Sequence, residues 1–316
     1  MKKHLIPLGF LVLLVILPPF LSGYWLRILT GVIMFATLTE AINIIAGYAG
    51  YPAFGNVVFF GMGAYVTAVL MNHGFGFFLT LIPSILSAVV FSVIIGLPVL
   101  RLRGHYFAIA SLGVNVAVME IVNNLKIAGA AEGLTLPLKK GASPHAVYSY
   151  FYYLFLVVLV LSVIFTIWLE KNRFGFGLRA IRVDEDGALA MGINTPLYKT
   201  LAWAYSAMFT AIVGSIYAYW ISYIDPETVF EPIISVKMFV MMLLGGASTV
   251  YGPLIGAVLL ELITELVWSK FVNIHGIVLG AIIILTVILI PRGFLDLFTG
   301  GFSWRRLVQN IKENMI

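Results

Sequence analysis

Ten apolar stretches follow one another along 316 residues, each near the length needed to cross a bilayer, and they leave little chain for anything else. They cover 5–22, 26–46, 54–71, 77–99, 105–125, 147–169, 199–221, 233–249, 252–269 and 275–290. A spanning helix takes about 20 mostly apolar residues, fewer where it is short or broken. Charged residues make up only 10% of the chain, against about 25% in a soluble domain. No polar stretch exceeds about 30 residues, too short for a separate domain. The pattern predicts one membrane domain over 1–316: an all-α polytopic membrane protein of about ten transmembrane or partly re-entrant helices. The third, eighth and ninth stretches are short and glycine-rich, which suits broken or re-entrant segments.

Several chemistries are set aside by residue content. The chain has no cysteine, so disulfides, thiolate metal sites and a cysteine nucleophile are excluded. His4, His73, His105, His145 and His275 never pair at helical spacing, so no histidine metal site and no metal cofactor is expected. A net charge of +5 fits lysines and arginines kept on the cytoplasmic side better than a nucleic-acid partner. With ten spans and the N-terminus inside, thirteen of the 19 lysines and arginines fall inside: Lys2, Lys3, Arg101, Arg103, Lys171, Arg173, Arg179, Arg182, Lys199, Arg292, Arg305, Arg306 and Lys312. Five fall outside, namely Arg27, Lys126, Lys139, Lys140 and Lys270, while Lys237 lies within a span. Both termini, including the tail 291–316, are therefore expected in the cytoplasm. The start Met1-Lys2-Lys3-His4 also resembles a signal peptide, but no small-x-small site follows, so an uncleaved first helix is expected.

The segment 170–198 is too long for a connector, which usually takes two to eight residues. It carries apolar Leu178, Ile181, Leu189 and Met191 among Arg179, Arg182, Asp184, Glu185 and Asp186. Acidic residues, then Ala188-Leu189-Ala190-Met191, then Gly192 read as a short helix with a glycine stop. Such a helix could dock a cytoplasmic protein or pack on the chain's own cytoplasmic face. Asp186-Gly-Ala-Leu-Ala-Met-Gly192 is similar to the E-A-A-x-x-x-G loop of ABC importer permeases, with Asp for Glu and Gly for the first Ala.

The whole chain resembles the LivM-type permeases of branched-chain amino-acid ABC transporters. The resemblance rests on Asn43-Ile-Ile-Ala-Gly-Tyr-Ala-Gly50, Phe59-Phe-Gly-Met-Gly-Ala-Tyr65, Gly96-Leu-Pro-Val-Leu-Arg-Leu-Arg-Gly104, Leu178-Arg-Ala-Ile-Arg182, Ala190-Met-Gly-Ile-Asn194, Leu244-Gly-Gly246, Gly252-Pro-Leu-Ile-Gly-Ala257 and Pro291-Arg-Gly293, in the family's order. It implies a permease subunit in a prokaryotic cell (inner) membrane, carrying branched-chain amino acids or a related small polar solute. It further implies two cytoplasmic ATPase subunits, a second homologous permease subunit and an extracytoplasmic solute-binding protein. The loop carrying Arg179, Arg182, Asp184, Glu185, Asp186, Ala188 and Gly192 would then couple the ATPase to the membrane helices. The chain has no G-x-x-x-x-G-K-[ST] loop, in keeping with ATP hydrolysis on another subunit. The chain departs from the family at Val116 and Met119, where relatives carry Glu and Arg, at Lys237, where they carry Glu, and at Tyr51-Pro-Ala-Phe-Gly-Asn56.

Polar residues inside spans are costly and usually face a cavity or a partner. Glu40, Asn43, Asn56, Asn115, Glu120 and Lys237 are therefore candidates for a solute path. Glu261 and Glu265 lie one turn apart near the outer end of a span, where Glu265 can snorkel to water. Gly47, Gly50 and Gly55 in one half, and Gly245, Gly246 and Gly252 in the other, read as sites of helix breaking or close packing. Their loosely matching patterns suit either an internal repeat around a solute path or ordinary glycine-rich packing. An ion-gradient-driven carrier or a channel is the alternative function. A membrane enzyme is not supported, since no nucleophile or metal spacing converges on the acidic pairs.

Overall fold

The computed structural model describes residues 5–137 and 143–270, together with Gly280. The expected tenth span at 275–290, the tail 291–316, and Lys2, Lys3, Lys139 and Lys140 otherwise lie outside the described residues. The helices are α1 Leu5–Ile16, α2 Gly23–Ile42, α3 Val57–Asn72, α4 Phe77–Val99, α5 His105–Asn124, α6 Pro144–Lys171, α7 Arg173–Val183, α8 Glu185–Ala190, α9 Thr195–Ile221, α10 Pro226–Val229, α11 Pro232–Gly245 and α12 Gly252–Lys270. Each of the first nine expected spans coincides with a helix. Six segments are long and apolar enough to cross a membrane: Gly23–Tyr48, α4, α5, α6, α9 and Pro226–Gly245. The short apolar α3 is one of the three expected to be broken or re-entrant. Among the described residues the all-α expectation holds apart from one small antiparallel pair, β1 Leu134–Thr135 with β2 Tyr223–Ile224.

The bundle is organised around α9, which packs along α3 and α4, while α2 packs against α6 and α12. Small residues make this possible. A Cβ on Gly63 of α3 would stand 2.1 Å from the Ala211 carbonyl of α9, and one on Gly214 would stand 2.0 Å from the Phe60 carbonyl of α3. The two backbones therefore touch with nothing between them, the closest packing available where lipid supplies no hydrophobic drive. Trp203, Phe59 and Phe107 fill the adjoining space edge to face. Gly245 and Gly256 play the same part between α11 and α12.

The connections fall into two sets. Residues 43–56, 100–104 and 172–194 meet at one end, joined by Arg182 to Gly47, Lys199 to Leu100 and Arg103 to Asp186. At the other end, the β1–β2 pair, the His145 contact with the Leu21 carbonyl (3.2 Å) and the Tyr24 hydroxyl donating to Glu265 (3.0 Å) tie the opposite helix termini. The described part of the chain therefore gathers Arg101, Arg103, Lys171, Arg173, Arg179, Arg182 and Lys199 at a single end, as the charge count requires of one membrane side.

Candidate functional site

The segment after α6 differs from its expected form. A single short helix is replaced by two, α7 and α8, and only Asn172, Asp184 and 191–194 remain between α6 and α9. Local chemistry explains each boundary. Asn172 Oδ1 accepts from the Phe174 N–H (3.3 Å) and starts α7; Asp184 Oδ1 accepts from the Asp186 N–H (3.1 Å) and starts α8. Gly192 ends α8 with φ +87°, and the Ile193 N–H donates back to the Ala188 carbonyl (3.0 Å). The α7 residues Gly175, Gly177, Leu178 and Ile181 face inward, as does Ala188 of α8. Val183 and Met191 are 87% and 85% exposed, and Leu189 is exposed beside them. Three bare apolar side chains on a charged, water-facing segment form a surface suited to another protein.

Behind that surface lies a polar hub. Lys199 Nζ, on a side chain only 4% exposed, donates to Glu185 Oε1 (2.6 Å), the Tyr51 hydroxyl (2.8 Å) and the Leu100 carbonyl (2.8 Å). Tyr51 donates to the other oxygen of Glu185. Arg103 pairs bidentately with Asp186 (2.8 and 2.7 Å) and its Nε lies 3.4 Å from Glu185. Burial pushes the Glu185 carboxyl up, but hydrogen bonds from Lys199 and Tyr51 and the charges of Lys199 and Arg103 outweigh it and hold it below its ordinary value. Burial first, then the Glu185 carboxylate, holds the Tyr51 phenol above its ordinary value and keeps it a donor. Nearby, Arg182 Nη1 donates to the Gly47 carbonyl (2.7 Å), and Arg179 pairs with Glu170 (3.2 Å) while lying over the Tyr48 ring.

The Gly47 carbonyl is available because α2 does not end as an α-helix. It continues as a π turn, Asn43–Tyr48, a form that recurs at functional sites. Gly50 lies beyond this turn at φ +76°, a helix-breaking position as its residue type suggested. Asn43 spans from the turn to the α11–α12 connection: its Oδ1 accepts from the Ser248 N–H (2.9 Å) and its Nδ2 donates to the Thr249 carbonyl (3.0 Å). Gly47 packs against Asn43 and Ser248, Gly55 against the Ser111 carbonyl, and Gly245 against Gly252 and Gly256, next to Gly246.

The intramembrane candidates are held by different partners in the bundle. Asn56 donates to Thr210 (3.0 Å) and accepts from Ser206 (3.2 Å), fastening the start of α3 to α9. Asn115 donates to the Phe230 carbonyl (2.8 Å), and its Oδ1 has no hydrogen-bond partner. Glu40 is fully buried and accepts from Thr166 (3.0 Å), with Oε1 unpartnered. Lys237 is half-buried over the Phe35 ring. Glu120 is exposed on the outer face of α5. A cavity between α1, α2, α6 and α12 is lined by apolar side chains such as Leu14, Leu29, Leu159 and Leu254. Among the described residues, no group of three or more metal-ligating side chains occurs.

Sequence reasoning missed Lys199, Tyr51 and Arg103 as members of the hub. A signal was present for Lys199. It sits near the N-terminus of α9, where the helix dipole disfavours a cation, so a lysine there calls for an acidic partner. Tyr51 stood out only as a departure from the family pattern.

Residues 24–287 match the family described as branched-chain amino acid transport system, permease component. Escherichia coli (strain K12) high-affinity branched-chain amino acid transport system permease protein LivM is 29% identical over 94% of this chain and 76% of its own. The protein of the same description from Salmonella typhimurium is 28% identical over the same shares. Salmonella typhimurium LivH, a permease protein of the same system, is 24% identical over 60% of this chain and 59% of its own. No solved structure matches the chain. The match over most of the sequence and the all-helical, multi-pass architecture lead to one conclusion: the chain belongs to the family of branched-chain amino acid transport system permease components.

Proposed function

We propose that this chain is the membrane-spanning permease subunit of an ATP-driven importer for branched-chain amino acids or a related small polar solute. It works with two cytoplasmic ATPase subunits, a second homologous permease subunit and an extracytoplasmic solute-binding protein. The termini lie in the cytoplasm, ten helices or part-helices cross or enter the bilayer of a prokaryotic cell membrane, and the segment 170–198 couples to the ATPase. The observation that carries the coupling role is the bare apolar surface of Val183, Leu189 and Met191 on capped helices at the basic end of the bundle. The family match favours this reading over a gradient-driven carrier.

A second permease subunit supplies what one chain lacks. The spans α4 and α5 are only 22% and 28% buried, against 83% for Gly23–Tyr48. The exposed residues of α4, among them Phe78, Ile82, Leu86 and Val90, are apolar and suit lipid. The exposed residues of α5 include, beside the apolar Ile109, Val116 and Ile121, also Gly113 and Glu120, and the carboxylate suits a polar path shared with the second subunit. On this reading Glu120 faces the solute path, while Asn43, Asn56 and Asn115 fix the frame behind it, with Glu40 and Lys237 away from it. The similar glycine breaks at 47–55 and 245–252, bridged by Asn43, support an internal repeat.

The test is co-purification of the tagged chain from its native membrane, with partners identified by mass spectrometry. ATPase subunits and a second permease are expected; the chain alone, under conditions that keep known complexes together, would overturn the reading. Asp186→Lys with Gly192→Pro should abolish transport while membrane insertion persists. Retained ATPase binding by that double variant would remove the docking role.

A further inference from the structure

The hub reaches further than docking requires. Glu185, on a side chain 13% exposed, is turned largely out of solvent. Through Lys199 it meets the first turns of α9 and, by the bond of that lysine to the Leu100 carbonyl, the end of α4. Through Tyr51 it meets the strap between the π turn and α3. One carboxylate thus ties the short helix to the ends of three membrane elements. Beside it, Arg182 holds the carbonyl of Gly47 inside the π turn, and Asn43 at the start of that turn holds Ser248 and Thr249 between α11 and α12.

Arg179 makes a looser contact with the same region: its ion pair is with Glu170 at the end of α6, and it reaches the π turn only by lying over the Tyr48 ring. Arg103 and Asp186 are both largely exposed, so their pair is a weak tie and Glu185–Lys199 is the strong one. The buried pair, with further hydrogen bonds from Lys199 to Tyr51 and Leu100 and from Tyr51 and Thr195 to Glu185, is costly to break on one side only. Replaced on both sides by neutral groups of similar size, such a pair often costs little stability.

We propose that Glu185, Lys199 and Tyr51 form a latch that passes movement of the coupling helix α8 into α4, α9 and the α2–α3 strap. They are positioning residues, acting on transport through the helices they join. The proposal rests on the importer reading above and adds the route by which force enters the bundle. Without the latch, the segment from Val183 to Met191 still presents Val183, Leu189 and Met191 to the ATPase, but α8 swings free of the membrane helices.

The experiment uses the whole transporter, purified with its partners and reconstituted in liposomes, with radiolabelled leucine and ATP as probes. The readout is solute moved per ATP hydrolysed. If the unmodified chain brings down no ATPase, the importer reading fails and the latch is not what failed. With an assembled complex, Glu185→Gln/Lys199→Met is expected to insert, to bring down the ATPase, and to lose about tenfold in solute per ATP. Tyr51→Phe, which removes one hydroxyl and keeps the ring, is expected to lose less. An unchanged ratio in both variants would overturn the latch. Loss of ATPase binding by the double variant would also overturn it, by placing the pair in the docking surface. Recovery of the ratio by Lys199→Arg, which keeps the cation, is expected alongside failure of Lys199→Met.

Discussion

At the α3–α9 crossing, two backbones touch through glycine; at the basic end of the bundle, elements are joined by long charged side chains. The first contact has no adjustable part. Gly63 lies against the Ala211 carbonyl and Gly214 against the Phe60 carbonyl, so neither helix can slide without a collision. The second contact is made of lysine, arginine and glutamate, whose reach lets a short helix shift while staying tied. The difference follows from solvent. Buried charge is expensive in hydrocarbon, so the interior is fixed by shape. At the water-facing end a charge can be partly desolvated and repaid by specific partners. A rigid frame with a tethered lever is what a mechanically driven transporter needs.

The largest effect is expected where backbone contact sets the distance between helices. Gly214→Ala puts a methyl group 2.0 Å from a backbone carbonyl that cannot turn aside, so α3 and α9 must separate. The cost is expected at about 3 kcal/mol or more, seen as loss of monodisperse protein in detergent. The control is Gly113→Ala on α5, where nothing lies within 4 Å. Equal yields from the two variants would break the comparison.

Next comes the tether. Lys199→Met removes the cation from a desolvated carboxylate and is expected to cost about 2 kcal/mol, below the usual range because Arg103 Nε remains 3.4 Å from Glu185. Adding Glu185→Gln should recover most of that loss in a thermal melt. If both variants melt together, the pair contributes no net stability through its charges.

The frame and the lever differ in how far the sequence announces them. Span lengths follow from the bilayer, and the expected limits 77–99 coincide with α4 as found. The α8 start and stop were legible too, because Asp184 and Gly192 carry their geometry in their residue type. The π turn was not, since Asn43–Tyr48 reads as ordinary apolar helix and its widening depends on contacts 200 residues away. Asn56 and Asn115 were candidates for the path on the same kind of signal. A buried amide facing a neighbouring helix and one facing a solute have identical local sequence, and the bonds to Thr210 and the Phe230 carbonyl are visible only once the helices are packed. Glu120 was a candidate too, and its exposure depends on the rotation of α5 in the bundle.

Asn43 joins the two kinds of contact, since it sits in the frame and ends the route that begins at Arg182. Asn43→Ala leaves the Ser248 N–H and the Thr249 carbonyl unpaired. A loss of about 1–2 kcal/mol is expected, with increased proteolysis or hydrogen exchange confined to 246–251. Asn43→Asp keeps the acceptor for Ser248 but sets a buried carboxylate against the Thr249 carbonyl, so its effect should exceed that of alanine. An aspartate variant as stable as the native chain would mean that the amide group is not what holds the connection.

The smallest effect concerns acid. Glu185 and Asp186 both titrate below their ordinary values of 4.5 and 3.8, Glu185 because its hydrogen bonds and cations outweigh burial, Asp186 through its hydrogen bond and charge contact with Arg103. A carboxyl depressed in the folded state stabilises it fully above the unfolded value and loses that contribution as pH falls through the folded one. These two groups therefore leave the melting temperature flat from pH 8 to about pH 5. Their contribution declines only below 4.5. Glu185→Gln should make that acid-side decline shallower. Arg103→Ala should barely change it, because Arg103 and Asp186 are largely exposed and solvent already screens their attraction. A decline that begins between pH 5 and 7 and disappears in Glu185→Gln would show that the latch carboxyl is not held by Lys199, and the tether would have to be rebuilt around Arg103 alone.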